Sequence, residues 1–260
     1  MMRPMSDLVR IDRLDDGAFW RVTFGASAGN IIDAPMMAAL QRIFDDARDA
    51  RELKAICLQG AGGHFSYGAS VQEHLPEQVR DMLDGMRRLV LSMLDCHVVL
   101  LAAVNGQCLG GGLELASVCH RIVAHAGAKF GQPEIALGVF APIASVLLPE
   151  RIGRAHGEDL CLTGRMVGAA EAHQMGLVDE IADGDPADAA IAWARTHLSA
   201  RSASSLRLAV KAVRANLAAR VREELPRLEA VYLNELMTTS DAAEGLRAFL
   251  DKRPPVWKDG

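Results

Sequence analysis

Between positions 98 and 119 the only formally charged side chain is Glu114, and positions 135 to 149, immediately after Glu134, carry none. Uncharged stretches this long belong inside a folded core, and the run VLLAAV near their start has the near-continuous apolar character of a strand covered on both faces. The chain must therefore fold so that two carboxylates are enclosed by apolar material. An ionised carboxylate buried without a partner costs several kcal/mol, so such groups are driven up in pKa or put to acid/base use. Glu114 and Glu134 are the first candidates for chemistry.

The flanking sequence reads as alternating β and α units. Residues 8–11 and 19–24 form two expected strands joined by Asp15, Asp16 and Gly17, an N-terminal hairpin. Asp33 and Pro35 mark the start of a helix over 35–50, with Met36, Leu40, Ile43, Phe44 and Ala47 on one face. A strand over 54–59 runs into GAGGHFSYGAS. An amphipathic helix is expected over 72–94, where Met82, Met86 and Met93 are either adaptable core or the border of an acyl pocket. Strands over 97–104, 121–124 and 177–181 alternate with helices over 158–163, 169–175 and 186–198, and 129–134 reads as a turn. That alternation places the chain in the α/β class. Near Ser199 the composition turns to Ala, Leu, Arg and Glu, predicting helices over 204–222, 223–236 and 242–250. The expected division is a core domain, 1–198, and a helical appendage, 199–260.

Several function classes are disfavoured. A net charge of −5 gives no electrostatic reason for a nucleic-acid or membrane surface. Arg207, Lys211, Arg214, Arg220 and Arg222 read as a solvated or interface face, with nucleic acid as the outside reading. Five widely spaced cysteines without a CxxC pair predict reduced thiols. No export signal is visible in MMRPMSDLVRID, and no apolar run approaches a membrane span, so a cytoplasmic protein is expected. The histidines show no metal-ligand spacing, and no metal site is predicted. Gly25 to Gly29 (GASAG) matches the nucleophile elbow of serine hydrolases, which would make Ser27 the nucleophile. An elbow needs its serine on the turn into a helix, and the helix here starts several residues later, so the match reads as accidental. The Gly-rich loop after the 54–59 strand lacks the GK[ST] ending of a phosphate-binding loop.

What the glycines do offer is backbone. Gly68 in GAS and the triplet Gly110, Gly111 and Gly112 allow tight turns with free N–H groups, the triplet at a helix N-terminus where the dipole favours developing negative charge. A tight packing turn is the competing explanation for the triplet. Two such loops gripping one oxygen would make an oxyanion hole for a carbonyl that becomes an enolate, with two enclosed carboxylates moving protons at the adjacent carbons.

The segments NGQCLGGGLELA, FGQPEIALGVF, GASVQEH and AFLDKR together resemble the crotonase superfamily of enoyl-CoA hydratases and isomerases, over nearly the whole chain. The resemblance implies a spiral of ββα units with a C-terminal helical trimerisation domain, in a homotrimer or homohexamer. It implies an acyl-CoA thioester substrate, with coenzyme A part of that substrate and no separate cofactor. The acyl carbonyl would lie between the amides of Ala69 and Gly111, with Glu114 and Glu134 catalytic. Ser66, Gly68, Gly110, Phe140 and Ile143 would contact substrate, and Phe249 and Lys252 would help hold the coenzyme A of a neighbouring subunit. Both glutamates being present favours hydration, with Glu114 as base on a water and protonated Glu134 as acid.

Two departures narrow the expectation. Ordinary members carry GAD where this chain has Gly68-Ala69-Ser70, and a Gly-rich turn where it has Ala141-Pro142-Ile143-Ala144. Losing those glycines removes a backbone donor at Pro142 and adds bulk at Ile143. These segments are most similar to the branch whose members hydrate a cyclohexadiene-carbonyl thioester by conjugate addition, delivering the proton at the γ carbon. A hydratase or isomerase of linear enoyl-CoA, and a non-catalytic binding module on the same fold, are the alternatives.

Overall fold

The computed structural model describes residues 8–25 and 29–260. Ser27 and its neighbours in the GASAG match lie outside the described residues. The N-terminal hairpin forms as expected: β1 (Val9–Leu14) pairs antiparallel with β2 (Phe19–Phe24) across a short 3-10 turn at Asp15–Gly17. Helix α1 (Ala34–Asp49) follows, capped by the Asp33 side chain, which accepts from the Met36 amide at 3.0 Å. Strand β3 (Ala55–Gly60), helix α2 (Val79–Asp95) and strand β4 (Val99–Val104) complete the first turns of the spiral.

From β4 onward the chain visits a second layer before returning. Strand β5 (Gln107–Leu109) leads into helix α3 (Gly111–Val118), and β6 (Arg121–His125) leads into β7 (Lys129–Gly131). Helices α4 (Pro142–Ile152) and α5 (Arg154–Thr163) then precede β8 (Met166–Gly168), α6 (Ala169–Gln174), β9 (Glu180–Ala182) and α7 (Pro186–Leu198). The long strands form one six-stranded sheet in the order β1-β2-β3-β4-β6-β9, parallel except for the hairpin. The short ones form a second sheet, β5-β7-β8.

Strand β4 shows why the uncharged run must sit at the centre. All six of its residues are buried, and their alternation divides them between two cores. Leu100, Ala102 and Val104 join the main core with α1, α2 and α3. Val99, Leu101 and Ala103 face the other way, under Ala187, Ala190, Ile191 and Ala194 of α7.

Three expectations need correction. The stretch 72–94 is not one helix: a 3-10 turn at Val71–His74 ends at Leu75, which is held extended (φ −62°, ψ 152°) before Pro76, and α2 begins only at Val79. Residues 129–134 are not simply a turn, because β7 pairs with β5 and β8, long-range partners that local sequence does not disclose. The two helices expected over 204–236 are one, α8 (Ala203–Asn234), which continues through Pro226. Buried side chains on both sides of that proline, Val221, Leu225, Glu229 and Tyr232, dock α8 onto α2 and α4, and this packing outweighs the lost backbone hydrogen bond.

The expected division at position 199 falls in the turn between α7 and α8. Beyond it, α8 and α9 (Ser240–Leu250) contribute Val221, Leu225, Tyr232, Ala242 and Leu246 to the main core.

Candidate active site

The site forms where the Gly68 turn meets the start of α3. Ser66 Oγ donates to the Asn30 carbonyl at 2.8 Å and accepts from the Gly68 amide at 3.0 Å, bracing the turn from behind. Gly68 has φ +105°, and a β-carbon there would lie 2.9 Å from the Leu109 carbonyl oxygen, so only glycine allows the two loops to approach this closely. A β-carbon on Gly111 would lie 3.1 Å from the Ala69 nitrogen, which puts the two residues side by side. Among the described residues their amides have no hydrogen-bond partner. Gly111 opens α3, where helical N–H groups have no intrahelical partner, and the single bridge between Ile32 and Ala69 uses the Gly68 carbonyl and the Ser70 amide.

Glu114 stands in the first turn of α3 and is 6% exposed. Its Oε1 accepts from the Ala144 amide at 2.8 Å, and the Ile143 amide also favours its charged form. Both amides belong to the first turn of α4, where Pro142 occupies the first position and costs no donor the helix needs. Glu134 comes from the 3-10 turn Pro133–Leu137 that follows β7. The residue as a whole is half-buried, but its Oε2 is enclosed and has no hydrogen-bond partner among the described residues.

This asymmetry sets the two carboxyls apart. Burial pushes Glu114 up to about 7, with the Ala144 and Ile143 amides pulling against it. Burial first, and then the charge of Glu114, push Glu134 up to about 8. Both carboxyls are thus pushed toward the protonated form and titrate together, and it is the Ala144 amide on Glu114 that sets them apart, favouring charge there and leaving Glu134 as the group better suited to hold a proton.

Ala69, Gly111, Glu114, Glu134, Phe140 and Ile143 line one cavity of about 30 Å³, with room for about two waters and not for a six-membered ring. Met82 and Met86 form another part of its wall. Unbranched methionines repack more readily than β-branched side chains, so this wall can yield. Ala69 also lines a second, open groove of about 790 Å³, together with Tyr67, Val71, Leu137 and Phe249. Ala69 is common to the walls of both spaces.

The predicted contacts divide accordingly. Phe249 lies on the groove of its own chain, because α9 packs against the 3-10 turns at Val71–His74 and Pro133–Leu137. Lys252 is exposed, in the turn after α9, and the cation on the groove is its neighbour Arg253, which is paired with Glu244 at 2.5 Å. Ser66 does not reach either space: it is fully buried, with its hydroxyl occupied in the turn it braces. Gly68 and Gly110 act through the room they leave.

Three polar residues of the cavity wall were not singled out from sequence. His74 donates from Nδ1 to the Ser70 carbonyl at 2.8 Å, since a carbonyl only accepts, and burial lowers its pKa, leaving a neutral ring. Glu229 is paired with Arg87 of α2, and burial nevertheless pushes its pKa up to about 7. Tyr232 stands one turn later on α8. For Glu229 and Tyr232 the signal in the sequence is a glutamate and a tyrosine at helical spacing among apolar residues, which the charge-rich face of the same helix obscures.

Among the described residues no cluster of three or more His, Cys, Asp or Glu side chains is placed to hold a metal, and no helix is long and apolar enough to cross a membrane. The cysteines are unpaired, Cys57, Cys96, Cys108 and Cys119 buried and Cys161 partly so.

Residues 17–260 match the family model described as enoyl-CoA hydratase/isomerase. The chain is 48% identical over 244 residues to a cyclohexa-1,5-dienecarbonyl-CoA hydratase of Thauera aromatica, covering 94% of each chain. It is 35% identical over 234 residues to a probable enoyl-CoA hydratase of Rhizobium meliloti, covering 88% of this chain and 90% of that one. Its fold superposes on the crystal structure of an enoyl-CoA hydratase from Bacillus halodurans with a TM-score of 0.84 at 21% identity, covering 92% of this chain and 99% of the other. With the spiral of two sheets, the paired amides and the two enclosed glutamates on one cavity, these likenesses establish that the chain belongs to the enoyl-CoA hydratase/isomerase family.

Proposed function

We propose that this chain adds water to an α,β-unsaturated acyl-CoA, and that the substrate is cyclohexa-1,5-diene-1-carbonyl-CoA. The observation that carries the hydratase reading is the unequal pair of carboxyls facing the same cavity as two free amides. Glu114, held by the α4 amides, is the better base at neutral pH, and Glu134, whose Oε2 has no partner among the described residues, is the better acid. Support for the ring comes from the Thauera aromatica relative and from the wall at Phe140 to Ile143, which replaces the glycines of ordinary members.

In this reaction the thioester oxygen lies between the Ala69 and Gly111 amides. Glu114 takes a proton from water as its oxygen bonds to the β carbon. The π electrons shift through the α carbon onto the thioester oxygen, giving a dienolate that the two amides stabilise. The dienolate electrons then return to form the new ring double bond as the γ carbon takes the proton from Glu134. Glu114 now carries a proton and Glu134 has lost one, and transfer between them restores the enzyme. One water is consumed, and the product is 6-hydroxycyclohex-1-ene-1-carbonyl-CoA. Protein groups alone move the protons, so the reaction calls for no added cofactor. The open groove beside Ala69 suits the pantetheine arm, with Phe249 and Arg253 on its wall.

The second reading is a linear enoyl-CoA substrate, and the Rhizobium meliloti relative, named a probable enoyl-CoA hydratase, keeps it open to test. Purified protein is assayed against cyclohexa-1,5-diene-1-carbonyl-CoA and crotonyl-CoA, with hydration read by mass as gain of one water. A higher kcat/KM for the cyclic dienoyl thioester is expected, and faster turnover of crotonyl-CoA overturns the ring assignment. Assembly into a trimer or hexamer is part of the same reading, supported by exposed Leu208, Val213 and Val231 on α8. Sedimentation at micromolar concentration tests it, and a monomer overturns it.

A further inference from the structure

Tyr232 is the least expected member of the cavity wall. It is only 1% exposed, yet its hydroxyl has no hydrogen-bond partner among the described residues. A buried tyrosine usually finds a partner for its O–H, because leaving that group unpaired forfeits its hydration without return. The ring itself is well accounted for: it packs against Phe140 with centroids 5.2 Å apart and a tilt of 58°. The hydroxyl is what the fold leaves unexplained.

The orphaned hydroxyl has a counterpart. Glu134 Oε2 is the other enclosed oxygen of this cavity wall without a partner among the described residues. The two groups do not bond to each other, and the cavity they share has room for about two waters. A tyrosine hydroxyl both donates and accepts, and a protonated carboxyl does the same, so one water between them would satisfy both. Glu114 reaches the same cavity from α3, with Oε1 held by Ala144. The fold thus brings the Glu114 and Glu134 carboxyls, from α3 and the turn after β7, and the Tyr232 hydroxyl, from α8, around a space of water size, whose wall also carries Glu229 paired with Arg87.

We propose that Tyr232 is a third active-site residue, whose hydroxyl holds the reacting water together with Glu134 while Glu114 takes that water's proton. The ring packed on Phe140 fixes where the hydroxyl points, so α8 supplies part of the reaction geometry as well as part of the core. In the transition state the water oxygen leaves its hydrogen-bonded position for the β carbon, and the Tyr232 hydroxyl keeps one of its lone pairs engaged, which restricts the direction of attack. No bond to Tyr232 forms or breaks. The inference rests on the hydratase reading above and adds a residue to it.

The test is Tyr232→Phe, which keeps the ring and removes only the hydroxyl, compared with wild type, Glu134→Gln and the double variant. Cyclohexa-1,5-diene-1-carbonyl-CoA and crotonyl-CoA are the probes, and thermal unfolding is followed in parallel. If the hydroxyl holds the water, kcat falls about tenfold with KM within about twofold, while Tm stays level or rises because an unpaired buried polar group has been removed. The double variant is then little worse than Glu134→Gln alone, since both groups act on one water. An unchanged kcat overturns the proposal. So does a fall in kcat that comes with a matching loss of Tm, or one that multiplies independently with Glu134→Gln. Wild type that hydrates neither thioester instead overturns the hydratase reading, and the two failures are thereby told apart.

Discussion

Gly110 and Glu134 occupy each other's space: a β-carbon on Gly110 would lie 2.3 Å from Glu134 Oε1. Gly110 also has φ +48° and ψ −126°, a backbone state that residues with side chains rarely adopt. The turn that opens α3 and offers the Gly111 amide is therefore the same turn that makes room for the acid. Gly110→Ala should move Glu134 and strain the turn together, lowering turnover at least about 100-fold and stability by about 1–3 kcal/mol. Steady-state kinetics and urea unfolding measure both, and near-normal turnover would show that the carboxyl has another place to go.

Replacing either carboxyl by its amide isolates the proton transfers. Glu114→Gln keeps an acceptor for the Ala144 amide and Glu134→Gln keeps the volume, so each should fold and bind thioester. Each should cut hydration by at least about 100-fold. Turnover within a few fold of wild type in either variant removes that residue from the mechanism. Binding is checked with a saturated acyl-CoA by calorimetry.

The pH dependence of stability has a definite sign. Burial and the Glu114 charge raise Glu134 to about 8, so below the unfolded carboxylate pKa the folded state keeps its full share of stability from this group. That share is lost as pH rises toward 8, because the folded state then holds a proton the unfolded chain has released. Glu134→Gln mimics the protonated form at every pH. Its Tm should therefore exceed that of wild type at pH 8, with the gap closing toward pH 5. A gap that widens on acidification would mean that Glu134 is held as a carboxylate.

Met86 is buried, lies against the cavity and packs on the core side of α2. If a ring enters by displacing methionine side chains, Met86→Ile, stiff at its β-carbon, should raise KM for the cyclic dienoyl thioester about tenfold. Crotonyl-CoA, with a slimmer acyl group, should be affected much less. Equal effects on both substrates would place the ring elsewhere.

Much of the site was readable as residue type and spacing. Glu114 stood alone in an uncharged run and Glu134 bordered another, and glycine at 68, 110 and 111 signalled close backbone approach. The hairpin, α1 with its Asp33 cap, and buried β4 followed from local rules. What local rules misplaced depended on distant partners: β7 exists because β5 and β8 flank it, and α8 continues past Pro226 because α2 and α4 hold both of its halves.

By itself, the sequence determined that two carboxylates would be enclosed, since an uncharged stretch cannot lie in water without cost and must carry its few charges inward. It could not say that those carboxylates would differ. That difference arises because the α4 amides reach Glu114 while none of the described residues bonds to Glu134 Oε2, a matter of which helix end packs where. Nor could it assign Tyr232, more than a hundred positions from Glu114 in the chain, to the same small cavity. A helix pattern shows which face is buried, and only tertiary packing decides what that face meets.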